Sequence, residues 1–467
     1  MRTLFFSSQI RIEQSAAKVF AWHERPGAFA RLAPPWQKLE LLAHDGGIRN
    51  GAKISLRTKI GPVWVRWDVE HRDDVDGVRF RDVQVGGPFA EWEHEHRFEP
   101  ADGVEHACTL TDAIGYRLPF GILGRIFGAG FVRTELTRLF AYRHALTKAD
   151  IESTARYISV RPMTFLIAGA SGLVGRALIP FLQTQGHSVV RLVRRPARAP
   201  DEVFWNPAKG ELAPEAMRGV DVVINLSGEG VADGRWSPAR KDAIMRSRVD
   251  STRTLVRAMG ALTRARPFVF ISGSATGLYG DRGDEVLTEE SSRGTGFLAD
   301  VCDAWENEAT AAEELGVRVV RLRTGVVLTP AGGALARLLP VFLAGAGGRL
   351  SSGKMWMSWI CMDDLVGAIY HAVLNRHCTG AVNAVSPGAV TNAEFTQVLA
   401  RVLRRPAIFP VPAVALKAAL GEMAGQTLLA STRVVPAKLK AEDYGFRHEN
   451  LEDALRHMLG RKLFKII

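Results

Sequence analysis

Cysteine is scarce in this chain: there are four in 467 residues (Cys108, Cys302, Cys361 and Cys378), far apart and with no C-x-x-C pair among them. That excludes a disulfide framework or a thiolate zinc site as the organising feature. Long apolar runs are also missing, since the best candidates for a span of about eighteen apolar residues are broken by Lys417, by prolines or by glycines, and no transmembrane helix is expected. The opening Met1-Arg-Thr-Leu-Phe-Phe-Ser-Ser-Gln-Ile10 turns polar too soon for a signal peptide, which makes the cytoplasm the expected compartment. Basic blocks are absent as well. The formal net charge is +11, yet Lys and Arg are scattered among Asp and Glu, so no nucleic-acid partner is expected and the excess suits an anionic small molecule.

What is present is apolar content of 47% in a chain too long for one ordinary core, so two or three domains are expected. The most informative stretch is Thr164-Phe-Leu-Ile-Ala-Gly-Ala-Ser-Gly-Leu-Val-Gly175, an apolar run of strand length that breaks into three glycines at every third position. Gly169 would make a tight turn, Gly172 would let the backbone approach a pyrophosphate, and Gly175 would let a helix pack on the strand. Ser171, Leu173 and Val174 complete the loop, whose N–H groups would meet the anion at the positive end of the helix. The helix continues from Arg176 to Gly186, and Ser188-Val-Val-Arg-Leu-Val193 follows as a second strand, completing a β-α-β unit.

Arg194 and Arg195 stand at the end of that second strand. A carboxylate there would suit the ribose 2′-hydroxyl of NAD, whereas arginine suits the 2′-phosphate of NADP, so NADP is favoured over NAD. Further strands are expected over 220–226, 268–272, 317–322 and 380–385 with helices between them, which means a doubly wound parallel sheet of Rossmann type. Asn225-Leu226-Ser227-Gly228 and Ser272-Gly-Ser274-Ala-Thr276 fall at the strand ends, where ligands of such sheets bind.

Residues 1–150 have a different texture. A strand over Leu4 to Ile12 precedes a helix capped by Ser15 and a short helix between Pro26 and Pro35. Alternating runs follow, divided by turn signals at Asp45-Gly-Gly, Ile60-Gly-Pro, Asp76-Gly, Gly86-Gly-Pro and Asp102-Gly, and a helix closes the segment from about Leu123 to Ala149. This order predicts an α+β helix-grip domain. In Trp92-Glu-His-Glu-His-Arg-Phe98, alternation puts Trp92, His94, His96 and Phe98 on one face. The two histidines could line a ligand pocket or pack within the sheet; no third ligand stands near them in sequence, so no metal is assigned. Residues 151–162 read as a linker to a second domain over 163–467, and Met163 stands where a free-standing module would begin.

The element order of residues 1–150 resembles the START-like or polyketide-cyclase-like (SRPBCC) superfamily, which implies a pocket for an apolar or small ligand. The glycine loop, Asn225 to Gly228, Ser272 to Gly280 and Trp359-Ile-Cys-Met-Asp-Asp-Leu365 resemble extended short-chain dehydrogenase/reductases, the NAD(P)-dependent epimerases and dehydratases. Arg235-Trp236, Arg240-Lys241, Arg246-Ser-Arg248, Gly296 to Glu306 and Ser358-Trp-Ile360 resemble an atypical branch called epimerase-family proteins, whose helical C-terminal extension corresponds here to 411–459. The resemblance implies cofactor contacts from the loops already named, a small-molecule substrate, and catalysis by an oxidoreductase or epimerase. One departure stands out: the family's Tyr-x-x-x-Lys dyad aligns with Leu298 and Cys302, which can neither transfer a proton nor supply a fixed charge. Ser274, Thr276 and Tyr279 remain as catalytic candidates, with Asp300, Asp303 and Glu306 nearby and Arg235, Arg240 and Arg248 as possible phosphate contacts. A non-catalytic NADP(H)-sensing protein is the alternative.

Overall fold

The computed structural model describes residues 2–45, 47–157 and 160–461; the expected turn at Asp45 and the linker each include residues outside these ranges. Two compact units are present, one built mainly from residues up to Val160 and the other mainly from Arg161 onward.

Among the described residues up to 157, the first unit has one antiparallel sheet and three helices. Strands β1 (Leu4–Ile12), β2 (Leu39–Asp45), β3 (Lys53–Ile60), β4 (Val63–Val75), β5 (Arg79–Gly86), β6 (Glu91–Ala101) and β7 (Val104–Arg117) lie in the order β1-β7-β6-β5-β4-β3-β2, a meander closed by the first strand. Turn chemistry sets its hairpins. Between β6 and β7, Asp102 and Gly103 both take positive φ (51° and 72°), the two-residue turn whose twist matches the strands it joins. Helix α1 (Ala16–Glu24) is capped by the Ser15 side chain, α2 (Ala28–Leu32) is short, and α3 (Gly121–Ala155) runs for 35 residues. Leu136 and Phe140 of α3 pack on Trp92, Ile114 and Tyr116, while Ile151 joins Phe20, Trp22, Phe80 and Phe98. The sheet therefore buries one face against its last helix, a helix-grip arrangement. Along β6, Trp92, His94, His96 and Phe98 are buried, as the alternation predicts.

The second unit is built on a parallel sheet. Its strands β8 (Thr164–Ala168), β9 (Ser188–Val193), β10 (Glu202–Phe204), β11 (Val222–Asn225) and β12 (Val269–Ala275) join Arg318–Thr324 and Gly380–Ala384 in the order β10-β9-β8-β11-β12, then Arg318–Thr324, then Gly380–Ala384. These strands read as continuous apolar runs because helices cover both faces; Phe165, Leu166, Ile167 and Ala168 of β8 are all fully buried. Helices α4 (Leu173–Thr184), α5 (Pro238–Gly260) and α6 (Phe297–Thr310) supply crossovers. Beyond Val411 come short helices (Ala413–Leu420, Glu422–Gln426, Ala437–Ala441 and Leu451–Met458), with Arg433–Val434 pairing to Val286–Leu287. Among the described residues no helix is long and apolar enough to cross a membrane.

Candidate functional site

The chain leaves β8 for β9 and β10 on one side and returns to β11 on the other, so the strand order reverses between β8 and β11. The two strands end level, with Ala168 paired to Asn225. Loops leaving such neighbours diverge and open a crevice at the C-terminal edge of the sheet.

On one side of the crevice stands the glycine turn. Gly169 has a φ of +83°, and a Cβ there would lie 2.6 Å from the carbonyl carbon of Leu226, so only glycine allows the two loops to touch. Gly172 N–H donates to the Gly169 carbonyl at 2.9 Å and Arg176 N–H to the Gly172 carbonyl at 3.0 Å, which closes the turn and starts α4. A Cβ on Gly175 would fall 2.5 Å from Gly169 O and 2.7 Å from Ala170 O, so the helix could not pack this closely with any side chain there. Gly172 is different. It is exposed, and an added Cβ would meet only Gly169 O, at 3.1 Å. Bare backbone thus faces open space beside Ser171, Leu173 and Val174, where first-turn N–H groups lack helical partners and the helix dipole is positive. That cradle fits a pyrophosphate.

On the other side, Asn225 shapes its loop from a fully buried position. Its Oδ1 accepts from Ser227 N–H at 3.1 Å, and its Nδ2 donates to Ser251 Oγ and Thr252 Oγ1 of α5 at 3.2 and 3.0 Å. Leu226 N–H donates to the Ala168 carbonyl at 2.9 Å. Gly228 lets Arg248 cover the loop: a Cβ would lie 2.9 Å from the guanidinium carbon, which stacks over Trp305 at 5.2 Å, while Arg248 Nη1 donates to the Glu229 carbonyl. Arg235 and Arg240 donate to the carbonyls of Ala418 and Gly230, so each of the three arginines is already engaged by the protein.

The arginines after β9 differ from each other. Arg195 makes paired hydrogen bonds to Glu202 (2.8 and 2.7 Å), and these, with the Arg198 N–H, hold the Glu202 carboxyl down at about 2. Arg194 has a side chain 73% exposed and, among the described residues, its ion-pair neighbour is Glu229, at 3.9 Å. It has the freedom to meet a phosphate; Arg195 does not without abandoning Glu202.

At the end of β12, Ser272 is fully buried and Ser274 nearly so. Ser274 Oγ donates to Glu306 Oε1 at 2.7 Å, and the Arg323 fork grips the same carboxylate at 2.8 and 2.9 Å. Arg323 also donates to Tyr279 Oη at 2.9 Å, and that hydroxyl donates to Asn383 Oδ1 at 2.7 Å. Tyr279 has no exposed surface, and burial raises its phenol pKa. Burial would lower the Arg323 pKa, but Glu306 more than offsets this and the net shift is upward. Thr276 opens the turn Thr276–Tyr279 and is half-buried.

Leu298 and Cys302 of α6 face this segment. A Cβ built on Gly277 would lie 3.2 Å from Leu298 Cβ and 3.9 Å from Cys302 Sγ, and burial pushes the Cys302 thiol up to about 11. Sequence reasoning missed Arg323 and Asn383. The signal was there in Arg323, because a cation within a strand covered on both faces requires a buried anion.

Comparison with known proteins bears on both units. The description NAD dependent epimerase/dehydratase family matches residues 165–384, polyketide cyclase / dehydrase and lipid transport matches 12–142, and a domain of unknown function matches 411–458. An epimerase family protein of Mycobacterium bovis is 43% identical over 295 residues, which is 63% of this chain and 97% of the relative. The crystal structure of a nucleoside-diphosphate sugar epimerase from Corynebacterium glutamicum is 34% identical with a TM-score of 0.80, covering 97% of this chain and 90% of the other. A human epimerase family protein, SDR39U1, solved with NADPH, is 29% identical with a TM-score of 0.58, covering 64% of this chain and 99% of its own.

Proposed function

Because this chain belongs to the NAD dependent epimerase/dehydratase family, as one of its epimerase family proteins, we propose that it binds NADP(H) across the β8/β11 crevice. There it performs hydride-linked chemistry, a reduction or an epimerisation, on a small or nucleotide-linked substrate. The observation that carries this is the cradle from Gly169 to Gly175, where glycine is required at two positions by backbone approach and the third leaves an open, anion-favouring surface. The NADPH seen on the human relative supports it.

When bound, the nicotinamide supplies or accepts the hydride. The protein's own groups do the rest. The N–H groups at Leu173 and Val174 would hold the pyrophosphate, Arg194 would hold the 2′-phosphate, and the loop from Asn225 to Gly228 would line the rest of the nucleotide site. Ser274 and Thr276, at the end of β12, address the substrate. The Ser274 O–H is already engaged in donating a hydrogen bond to Glu306, so toward a substrate it offers lone pairs and accepts a hydrogen bond from a hydroxyl. Tyr279 is a positioning residue, because its hydroxyl is used in both directions inside the Arg323 network.

By resemblance to the family motif, Leu298 and Cys302 align with its acid/base dyad, and this supports a second reading in which NADP(H) occupancy is sensed without turnover. Stereospecifically deuterated NADPH, incubated with the full chain and a broad metabolite mixture, separates the two. Deuterium recovered in a product establishes the enzyme; tight NADPH binding with no transfer establishes the sensor.

A further inference from the structure

In the first unit, strand register assembles a row of ionisable side chains that no stretch of sequence places together. His71 on β4 pairs with Asp82 on β5, Asp82 pairs with His94 on β6, and His96, two residues along the same face, pairs with Asp112 on β7. His71, His94, His96 and Asp112 are all buried, and the Asp82 side chain is 21% exposed. Removing several charges from water is expensive unless each is balanced.

Asp112 orients the two β6 histidines. Its Oδ1 accepts from His94 Nε2 at 2.8 Å and lies 2.8 Å from His96 Nδ1, while its Oδ2 is held by His144 Nε2 of α3 at 2.5 Å. The hydrogen bond from His94 Nε2 to Asp112 leaves the lone pair on His94 Nδ1; His96 Nδ1 is as near to Asp112 Oδ1 without the alignment of a hydrogen bond, and the neighbouring carboxylate favours the proton on that nitrogen, which leaves the lone pair on Nε2. Both face one atom, Asp82 Oδ2, at 3.4 and 3.5 Å. Three lone pairs converging in a buried place repel one another unless a cation lies between them. The spacing is informative, because donors about 2.0–2.2 Å from a shared tetrahedral ion stand roughly 3.3–3.5 Å apart. A second sign comes from His71. Its Nδ1 is 2.8 Å from Asp82 Oδ1 but not aligned for N–H···O bonding, and among the described residues neither His71 nitrogen has a hydrogen-bond partner.

We propose that Asp82, His94 and His96 form a binding site for one divalent transition-metal ion of the zinc type, with His71 beside Asp82 and with Asp112 and His144 as the outer groups that fix the ligands. Two imidazoles and one carboxylate suit Zn²⁺, Co²⁺ or Fe²⁺, whereas Ca²⁺ and Mg²⁺ call for more oxygens and Cu⁺ for thiolates. The orienting carboxylate behind ligand histidines is the usual outer-shell partner of such sites. Without the ion, a proton does the bridging: burial opposes charge on the His96 ring, but Asp112 and Asp82 prevail and raise its pKa to about 9.

The full chain, stripped with chelator and dialysed, is titrated with Co²⁺ and then Zn²⁺. The expected result is one Co²⁺ per chain with visible ligand-field bands, displaced by Zn²⁺. Asp82→Asn keeps the side-chain shape and should abolish these bands while circular dichroism stays that of the wild type. Asp112→Asn should retain the stoichiometry but weaken affinity by roughly 10- to 100-fold. If the stripped wild type binds Co²⁺ and Zn²⁺ no better than a folded Asp82→Asn variant, the cluster is a proton-bridged network and the proposal is wrong.

Discussion

Replacing Arg194 and Arg195 one at a time with serine separates two residues that look equivalent in sequence. Arg195 is committed to Glu202 by two hydrogen bonds, while Arg194 is mostly exposed and lies 3.9 Å from Glu229. A hydrogen bond to a charged group is worth about 1.5–3 kcal/mol, and solvent screening at an exposed site places this one near the lower end. Arg194→Ser should therefore raise the Kd for NADPH roughly tenfold and leave that for NADH unchanged. Arg195→Ser leaves Glu202 without its main partner, so it should lower the melting temperature and affect both coenzymes alike. Calorimetric titration of each variant with each coenzyme reads the ratio directly. Salt adds a check: the wild-type preference for NADPH should shrink as the Debye length falls from about 10 Å at 0.1 M to about 3 Å at 1 M. If Arg194→Ser loses both coenzymes equally, or if Arg195→Ser alone erases the preference, the assignment of the 2′-phosphate to Arg194 is refuted.

Three other outcomes are expected. Glu306→Ala leaves the buried Arg323 unpaired and should cost about 3–5 kcal/mol, a fall of roughly 6–12 °C in melting temperature, while the double change Glu306→Leu with Arg323→Met should recover most of it; a double variant no better than the single would show that orphaned charge is not the cause. In the metal-free protein, His96 is raised from its ordinary value to about 9, so its contribution is complete below pH 6.5 and is lost as pH rises through 9. That amounts to at most about 3 kcal/mol, and melting curves between pH 6 and 10 should show it in the wild type but not in His96→Gln. Limited proteolysis should cut between residues 150 and 162, as trypsin does after Arg156, and leave two folded fragments, and failure to isolate a stable fragment beginning in that window would count against a two-domain division.

Much of the second unit was legible in the sequence because its signals are local. The apolar run, the glycine spacing and the 188–193 strand lie within about thirty residues, and β8, α4 and β9 appear where the pattern puts them. The three-residue strand β10 did not, since Glu202–Phe204 is too short to show periodicity after a proline- and arginine-rich loop. Side-chain networks were less legible for a different reason. Glu306 is joined to Arg323, and Tyr279 to Asn383, by the lateral order of parallel strands, which sequence spacing does not encode. In the first unit the alternation along β6 correctly placed His94 and His96 on the inner face, but it could not place Asp82 beside them, because that depends on which residue of a neighbouring strand falls opposite.

The central claim is that bare backbone between β8 and α4 holds a dinucleotide's phosphates. A crystal structure of the full chain grown with millimolar NADPH tests it most directly. The account predicts the pyrophosphate against Gly172, Leu173 and Val174 with the 2′-phosphate at Arg194; a crevice that stays empty, or that holds the coenzyme elsewhere on the sheet, contradicts it.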